Sequence, residues 1–500
     1  MDSLERQGIS VGLYVTPYLE EIPMHLRSGR RYLFGEAKDD YFVKKMMKVK
    51  KKKNDATSGK KSKSKSKGGN DSISTERTTV ATTTMYNHSK RTKCGMLDPT
   101  NHNAASWFKQ VVKEEVLEYA SASFWLADTS MGGPPMDGVF SCSSLNGNRD
   151  APASASAGGL SFHNSYAEQW AKVNRDAIKE AGRDGDGFFI VNSAYGSTSK
   201  HAGCTSLGDH VANFHHDNGN ILGSILNGIV NGGFSGLTHG HCAVNFAVPR
   251  QLSNAIGNSI DSKSREMICR WFEMTAFTTL FRTHDGDCGV NDNTIHNVSK
   301  GSGSSNSGGS NNMMSAYEDE VILKQLTKWS NVYVALSEYR LQLLNEASFK
   351  GYPVVRHPIL HFPKDENFNG GGSNATKKKR GGSGGGDNGV PSSSASAFML
   401  GDLVYVVPIL KSGVVKSRVY LPEGGWIHLW TGEQVAGPHN IGKTIEVQAP
   451  LGEPPIFIRD VDMMHQFVAL LKQKRVISRR TKKTTGRSSS SLFSSFRRRK

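Results

Sequence analysis

The 500-residue chain carries six cysteines and no Cys-x-x-Cys pair. Cys94, Cys142, Cys204, Cys242, Cys269 and Cys288 also miss the ligand spacings of structural zinc sites. At this length, scattered cysteines read as free thiols in a reducing compartment, not as a disulfide frame. No apolar run reaches the roughly 20 residues that cross a bilayer. Residues 1–21 lack the basic start and continuous apolar core of a secretory signal. These absences favour a cytoplasmic protein with no transmembrane segment and leave the oligomeric state open.

An even spread of charge is also missing. The formal net charge of +17 alone would invite a nucleic-acid partner. The excess sits in 44–67, 377–380 and 472–500, among Ser, Gly and Thr. Such runs read as solvated, disordered segments, so no nucleic acid is expected on a folded domain.

What is present is organised around two strand-like runs. Phe124-Trp125-Leu126-Ala127 ends in Asp128. Phe188-Phe189-Ile190-Val191 is followed by a small-residue loop that leads to Gly208-Asp209-His210. Asn101 is placed to cap an amphipathic helix through Trp107, Phe108, Val111, Val112 and Val116. Residues 165–180 read as a helix with Ala167, Trp170, Ala171, Val173 and Ala177 inward, and 318–348 as a long helical region. From 398 onward, short apolar runs alternate with Gly/Pro turns, the pattern of an antiparallel sandwich.

The expected fold class is α/β: an incomplete (β/α)8 TIM-type barrel followed by an all-β sandwich domain. The expected boundaries are 1–43 for the start of the barrel, 44–90 for a disordered lysine-rich insert, and 91–365 for the catalytic barrel portion with loops 141–160 and 289–315. Then come a low-complexity insert at 366–397, the sandwich at 398–460, a short helix at 461–475 and a basic disordered tail at 476–500.

Parallel barrel strands deliver side chains from distant sequence positions to one face. Asp128 and Asp209 can meet there. A retaining glycosidase needs two carboxylates about 5–5.5 Å apart, one attacking the anomeric carbon and the other moving a proton. Taken alone, Gly208-Asp209 fits an ordinary helix N-cap better than a catalytic acid, and only its context carries the catalytic reading. His284, in Arg282-Thr283-His284-Asp285-Gly286, fits either a sugar contact or a capping or core histidine.

Longer stretches resemble glycoside hydrolase family 31, its sulfoquinovosidase-like branch above all. They are ISVGLYVTPYLEE (9–21), YFVKK (41–45), GMLDPTNHNAASWFKQVV (95–112), FWLAD (124–128) and GDHVANF (208–214). The resemblance continues in REMICRWFEMTAFTTLFRTHDGD (265–287), FMLGDLVYVVPIL (398–410), VYLPEGGWIHLWTGEQVAG (419–437) and APLGEPPIFIR (449–459). It implies retaining hydrolysis of α-linked glycosides with no cofactor and no metal. It implies Asp128 as nucleophile, Asp209 as general acid/base, and His284 as a sugar contact. Trp125, Asn192, His241, Asn245 and Arg282 fall at substrate-binding positions.

The chain departs from the family pattern at several of these. Thr129-Ser130-Met131 stands for Phe-Gly-Glu, Asn192 for an arginine, His241 for an aspartate and Asn245 for an aromatic residue. The upstream sulfonate-reading residues and first barrel strands fall outside the match. The carbohydrate or glycoside is therefore expected to be held less firmly, with His241 gaining charge below about pH 6.5. A non-catalytic carbohydrate-binding relative is the alternative reading. Deleting the low-complexity insert 366–397 is expected to leave folding and the yield of soluble protein nearly unchanged. A large loss of yield would show that this segment contributes to the core.

Overall fold

The computed structural model describes residues 10, 12–20, 42–49, 75–80, 82–87, 90–129, 138–141, 162–207, 221–245, 247–249, 260, 262–284, 313–315, 319–368, 396–459, 461–474 and 476. The first part runs β1 (Gly12–Val15), β2 (Tyr18–Glu20), β3 (Lys44–Val49), β4 (Thr75–Val80), β5 (Thr82–Asn87), β6 (Lys90–Met96), α1 (His102–Val111), β7 (Phe124–Ala127), β8 (Gly138–Val139), α2 (Ser165–Glu180), β9 (Phe188–Val191) and β10 (Cys204–Ser206). It continues through α3 (Ile221–Phe234), β11 (Gly240–His241), β12 (Val244–Asn245), β13 (Ala247–Pro249), α4 (Ser262–Thr275), β14 (Thr283–His284), β15 (Met313–Ser315), α5 (Glu320–Ala335) and α6 (Ser337–Lys350). The second part holds β16 (Val355–Arg356), β17 (Phe398–Leu400), β18 (Val404–Val406), β19 (Lys416–Leu421), β20 (Trp426–His428), β21 (Gln434–Ala436), β22 (Lys443–Gln448) and β23 (Ile456–Ile458), then α7 (Val461–Gln473).

The barrel strands β1, β7, β9, β10 and β11 are hydrogen-bonded in that order, each neighbour pair parallel. A further parallel pair joins β12 to β14. Parallel strands are covered on both faces, which is why β7 and β9 are continuous apolar runs. In β7, Trp125, Leu126 and Ala127 are all buried. Gly12 is required at the first pairing position. A Cβ there would stand 2.3 Å from the Phe124 ring, so glycine lets β1 lie against β7.

Helices close the outer face. The Asn101 side chain caps α1 by accepting from Asn103 N at 2.9 Å and Ala104 N at 3.3 Å. The helix then widens into a π-helical turn over Val112–Tyr119, burying Val112, Val116 and Leu117. Helix α2 buries Tyr166, Ala167, Trp170, Ala171, Val173 and Ala177. Trp170 Nε1 donates to the Ala127 carbonyl at 3.3 Å, tying this helix to the end of β7.

The stretch expected to be a disordered lysine-rich insert contains strands β3, β4 and β5. They form two three-stranded sheets, β4-β3-β8 and β2-β6-β5. The reason is local. Thr75–Val80 and Thr82–Asn87 are rich in β-branched residues that favour extended backbone, and the neighbouring lysines masked that signal. Residues 50–74 lie outside the described residues, as do 21–41, 142–161, 285–312, 369–395 and 477–500. The end of the 289–315 loop forms β15, paired with β13. The single long helix expected at 318–348 is two, α5 and α6, broken at Leu336.

The second part has a six-stranded sheet, β16-β17-β18-β23-β20-β21, and the hairpin β19-β22. Its central sheet is buried on both faces. Phe398, Leu400, Val404, Val406, Ile456 and Ile458 pack with helices α4 and α5 of the barrel. The alternate residues Met399, Tyr405, Val407 and Phe457 pack with Val419, Leu421 and Trp426. A buried ion pair pins the two parts. Arg270 Nη1 donates to Glu273 Oε2 at 2.9 Å and to the Pro450 carbonyl at 3.3 Å. Arg270 Nη2 donates to the carbonyls of Val414 at 2.8 Å and Ala449 at 3.1 Å. The Gly452 amide donates to Glu273 Oε1 at 2.6 Å. Among the described residues no helix is long and apolar enough to cross a membrane.

Arg270→Met removes the donor to three carbonyls and leaves the Glu273 carboxylate buried without its cation. The expected loss is about 3–5 kcal/mol in urea-induced unfolding. A loss below about 1 kcal/mol would mean that the pair does not hold the two parts together.

Candidate active site

The site is built where β7 and β9 end side by side. Their register pairs Ala127 with Val191, so the next residues, Asp128 and Asn192, are neighbours across the strands. Asp128 is half-buried. Its backbone amide donates to the Val15 carbonyl of β1 at 2.9 Å, which fixes its height on the barrel rim. The Asn192 side-chain amide donates through Nδ2 to Asp128 Oδ1. Asn192 Oδ1 accepts from Thr129 N at 3.0 Å and from Thr129 Oγ1 at 3.1 Å. The Thr129 and Ser193 hydroxyls meet at 2.7 Å. Adjoining Thr129 and Ser193 lies a cleft of about 230 Å³ whose lining also includes Tyr195, His163 and Tyr166 but neither Asp128 nor Asn192.

The remaining expected site residues do not all gather at Asp128. Trp125 is not at the rim. It is fully buried, stacks on Phe189 at 5.7 Å between centroids, and donates from Nε1 to Asn174 Oδ1 of α2 at 2.9 Å. Alternation along the strand sends it behind the sheet, so its expected substrate contact is corrected to a core role. Asn192 is close to Asp128, but its amide is engaged there and on Thr129. Asn245 and His284 are register partners in the β12–β14 pair. Asp209 lies outside the described residues, three positions beyond the end of β10.

His241 sits opposite Ser206 in the β10–β11 register and is fully buried. Its Nδ1 lies 3.2 Å from the Thr205 carbonyl and 3.3 Å from Cys204 Sγ. Its Nε2, Ser206 Oγ and Arg282 Nε are buried with no hydrogen-bond partner among the described residues. Burial first, and then the Arg282 guanidinium, pull the His241 pKa down to about 3. The expected gain of charge below pH 6.5 is therefore corrected: this imidazole stays neutral. Burial likewise pushes the Cys204 thiol up to about 12, which makes it inert. No group of three or more His, Cys, Asp or Glu side chains that could hold a metal occurs among the described residues.

Two features escape a sequence reading. Strand β10 is only three residues, Cys-Thr-Ser, without an apolar run to mark it. The Thr129–Asn192–Ser193 cluster has no motif. Its one signal is position, since each residue falls within two places of the end of a strand.

Residues 1–301 match the glycosyl hydrolases family 31 TIM-barrel domain, and residues 351–462 match the family's C-terminal domain. The chain belongs to glycosyl hydrolase family 31. It is 26% identical over 388 residues to a sulfoquinovosidase of Agrobacterium fabrum, covering 77% of this chain and 47% of that protein. A sulfoquinovosidase of Escherichia coli is 24% identical over 365 residues, covering 73% of this chain and 43% of that protein. The chain thus spans less than half the length of either relative. In fold it is similar to a family 31 sulfoquinovosidase from E. rectale, solved with an aza-sugar inhibitor, with a TM-score of 0.62 at 22% identity over 95% of this chain and 54% of that one. A family 31 α-xylosidase from a soil metagenome gives a TM-score of 0.60 at 16% identity over 93% and 55%.

A histidine with a lowered folded pKa contributes stability above its ordinary value of 6.5 and loses that contribution as pH falls. Stability in urea should drop between about pH 7 and about pH 4, with a shallower slope in His241→Asn. Equal slopes in the two proteins would mean that His241 takes up its proton in the folded state.

Proposed function

We propose that this chain carries the catalytic part of a retaining glycoside hydrolase acting on α-linked glycosides, with Asp128 as nucleophile and Asp209 as general acid/base. The observation that carries this reading is Asp128 itself. It stands at the C-terminal end of a parallel barrel strand, one residue before the cleft-lining Thr129, with its carboxylate held by the neighbouring strand's Asn192. Asp209 follows β10, the second strand along from β7 in the sheet. Family 31 membership supports the chemistry, and the two bacterial relatives are named sulfoquinovosidases.

In the first step a carboxylate oxygen of Asp128 bonds to the anomeric carbon as the glycosidic C–O bond breaks. The departing oxygen takes the proton of Asp209. In the second step Asp209, now ionised, takes a proton from water. The water oxygen bonds to the anomeric carbon, and the bond to Asp128 breaks. No cofactor enters either step.

A second reading is a carbohydrate-binding relative without turnover. It is favoured by the state of Asn192 and His241. The first is engaged on Asp128 and Thr129, and the second is neutral and buried. Neither offers the charged bonds, worth about 1.5–3 kcal/mol each, that would grip a sugar hydroxyl.

Purified protein should be assayed on aryl α-glucosides and aryl α-sulfoquinovosides. The catalytic reading expects measurable turnover of one of them, with Asp128→Asn and Asp209→Asn each lowering kcat by on the order of 10⁴ or more. Saturable binding of the sugar with no turnover would favour the second reading. Turnover unaffected by either substitution would remove both aspartates from the mechanism.

A further inference from the structure

We infer that Asn192 is a positioning residue for Asp128, setting the rotation of its carboxylate and favouring its ionised form. The orientation of the Asn192 amide follows from its neighbours. The backbone N–H of Thr129 can only donate, and it points at Asn192 from 3.0 Å. The atom it meets must be the acceptor, Oδ1, so the other end of the amide, the NH₂, faces Asp128. The Thr129 hydroxyl adds a second bond to the same oxygen at 3.1 Å, and Ser193 holds that hydroxyl from 2.7 Å. Thr129 has only 2% of its surface exposed.

The consequence for Asp128 is twofold. A donor on Oδ1 fixes the torsion of the carboxylate, so the plane of the group is set before any ligand arrives. The same bond is stronger to the ionised than to the neutral carboxyl, so it favours the state that attacks carbon. Thr129 and Asn192 therefore work as one unit, with Asp128 as its output. The anchor is made by the residue that directly follows Asp128, so the carboxylate and its support share the same strand ends.

This assignment rests on Asp128 being the nucleophile, but its test does not depend on turnover. Carbodiimide-driven amine labelling of Asp128, read by mass spectrometry across a pH series, follows the ionisation of that one carboxyl. In Asn192→Ala the labelling midpoint should move upward by about one pH unit relative to the unsubstituted chain. In Asn192→Asp, which keeps the shape but puts a second carboxylate against the first, the upward shift should be larger. Asn192→Asp also serves if the alanine variant fails to fold. Thr129→Val, which removes only the hydroxyl anchor, should give a smaller shift with the melting temperature nearly unchanged. Where turnover is measurable, Asn192→Ala should lower kcat at least tenfold with KM changed less than threefold. Unmoved midpoints in both Asn192 variants, with the proteins folded, would overturn the inference. Shifted midpoints without turnover in the unsubstituted chain would uphold it and count instead against the proposed hydrolase.

Discussion

The parallel pairing of β7 with β9 is the constraint on which the site depends. Four register partners run from Phe124↔Phe188 to Ala127↔Val191, and the residues just beyond the last pair face each other without further help. A shift of one residue would turn Asp128 toward the helices and Trp125 toward the barrel interior. The register is set by volume. Phe124 stacks on Phe188, Trp125 stacks on Phe189, and Trp125 is bonded to Asn174 under α2. The buried Trp125–Phe189 stack behind the sheet thus helps decide which polar residues stand in front of it.

The second part of the chain is fixed to the barrel through α4 and α5. Its central sheet has no solvated face, because one side packs on α4 and α5 and the other on its own hairpin and turns. Helix α4 is buried almost throughout. A buried helix needs partners for every polar group, and Arg270 supplies them to three carbonyls of the β domain. Part of the barrel and the β domain therefore share a continuous core, while β7 and β9 pack in a separate cluster with α1 and α2.

Much of the fold was legible because its strongest signals are apolar. Runs such as Phe188–Val191 and alternations such as those of α2 state their partners directly. The signal failed where structure comes from context. Cys204–Ser206 is a strand only because β9 and β11 flank it. The threonine-rich 75–87 segment was hidden by neighbouring lysines. At the site, the strand-end position of Asp128 was readable, whereas the roles of Trp125, Asn192 and His241 were not. Each of these turns on which face a side chain takes and on which neighbour satisfies it, and that information lies in the partner strands.

The departures from the family pattern also belong together physically. An arginine at 192 would have five donors and no acceptor, and so could not take the backbone N–H of Thr129. Asparagine carries both functions within one amide, accepting from Thr129 while donating to Asp128. At 241, an aspartate beside the buried Ser206 and Arg282 would bring a second charge into the barrel interior, whereas histidine at 0% exposure is neutral. Both replacements take a fixed charge out of the strand ends and leave a neutral group with defined partners. The carboxylate of Asp128 then stands beside an amide donor at 192, where the family pattern would set a guanidinium. On the role inferred for Asn192, the Thr129–Asn192 anchor orients the carboxylate where the family pattern would set a cation.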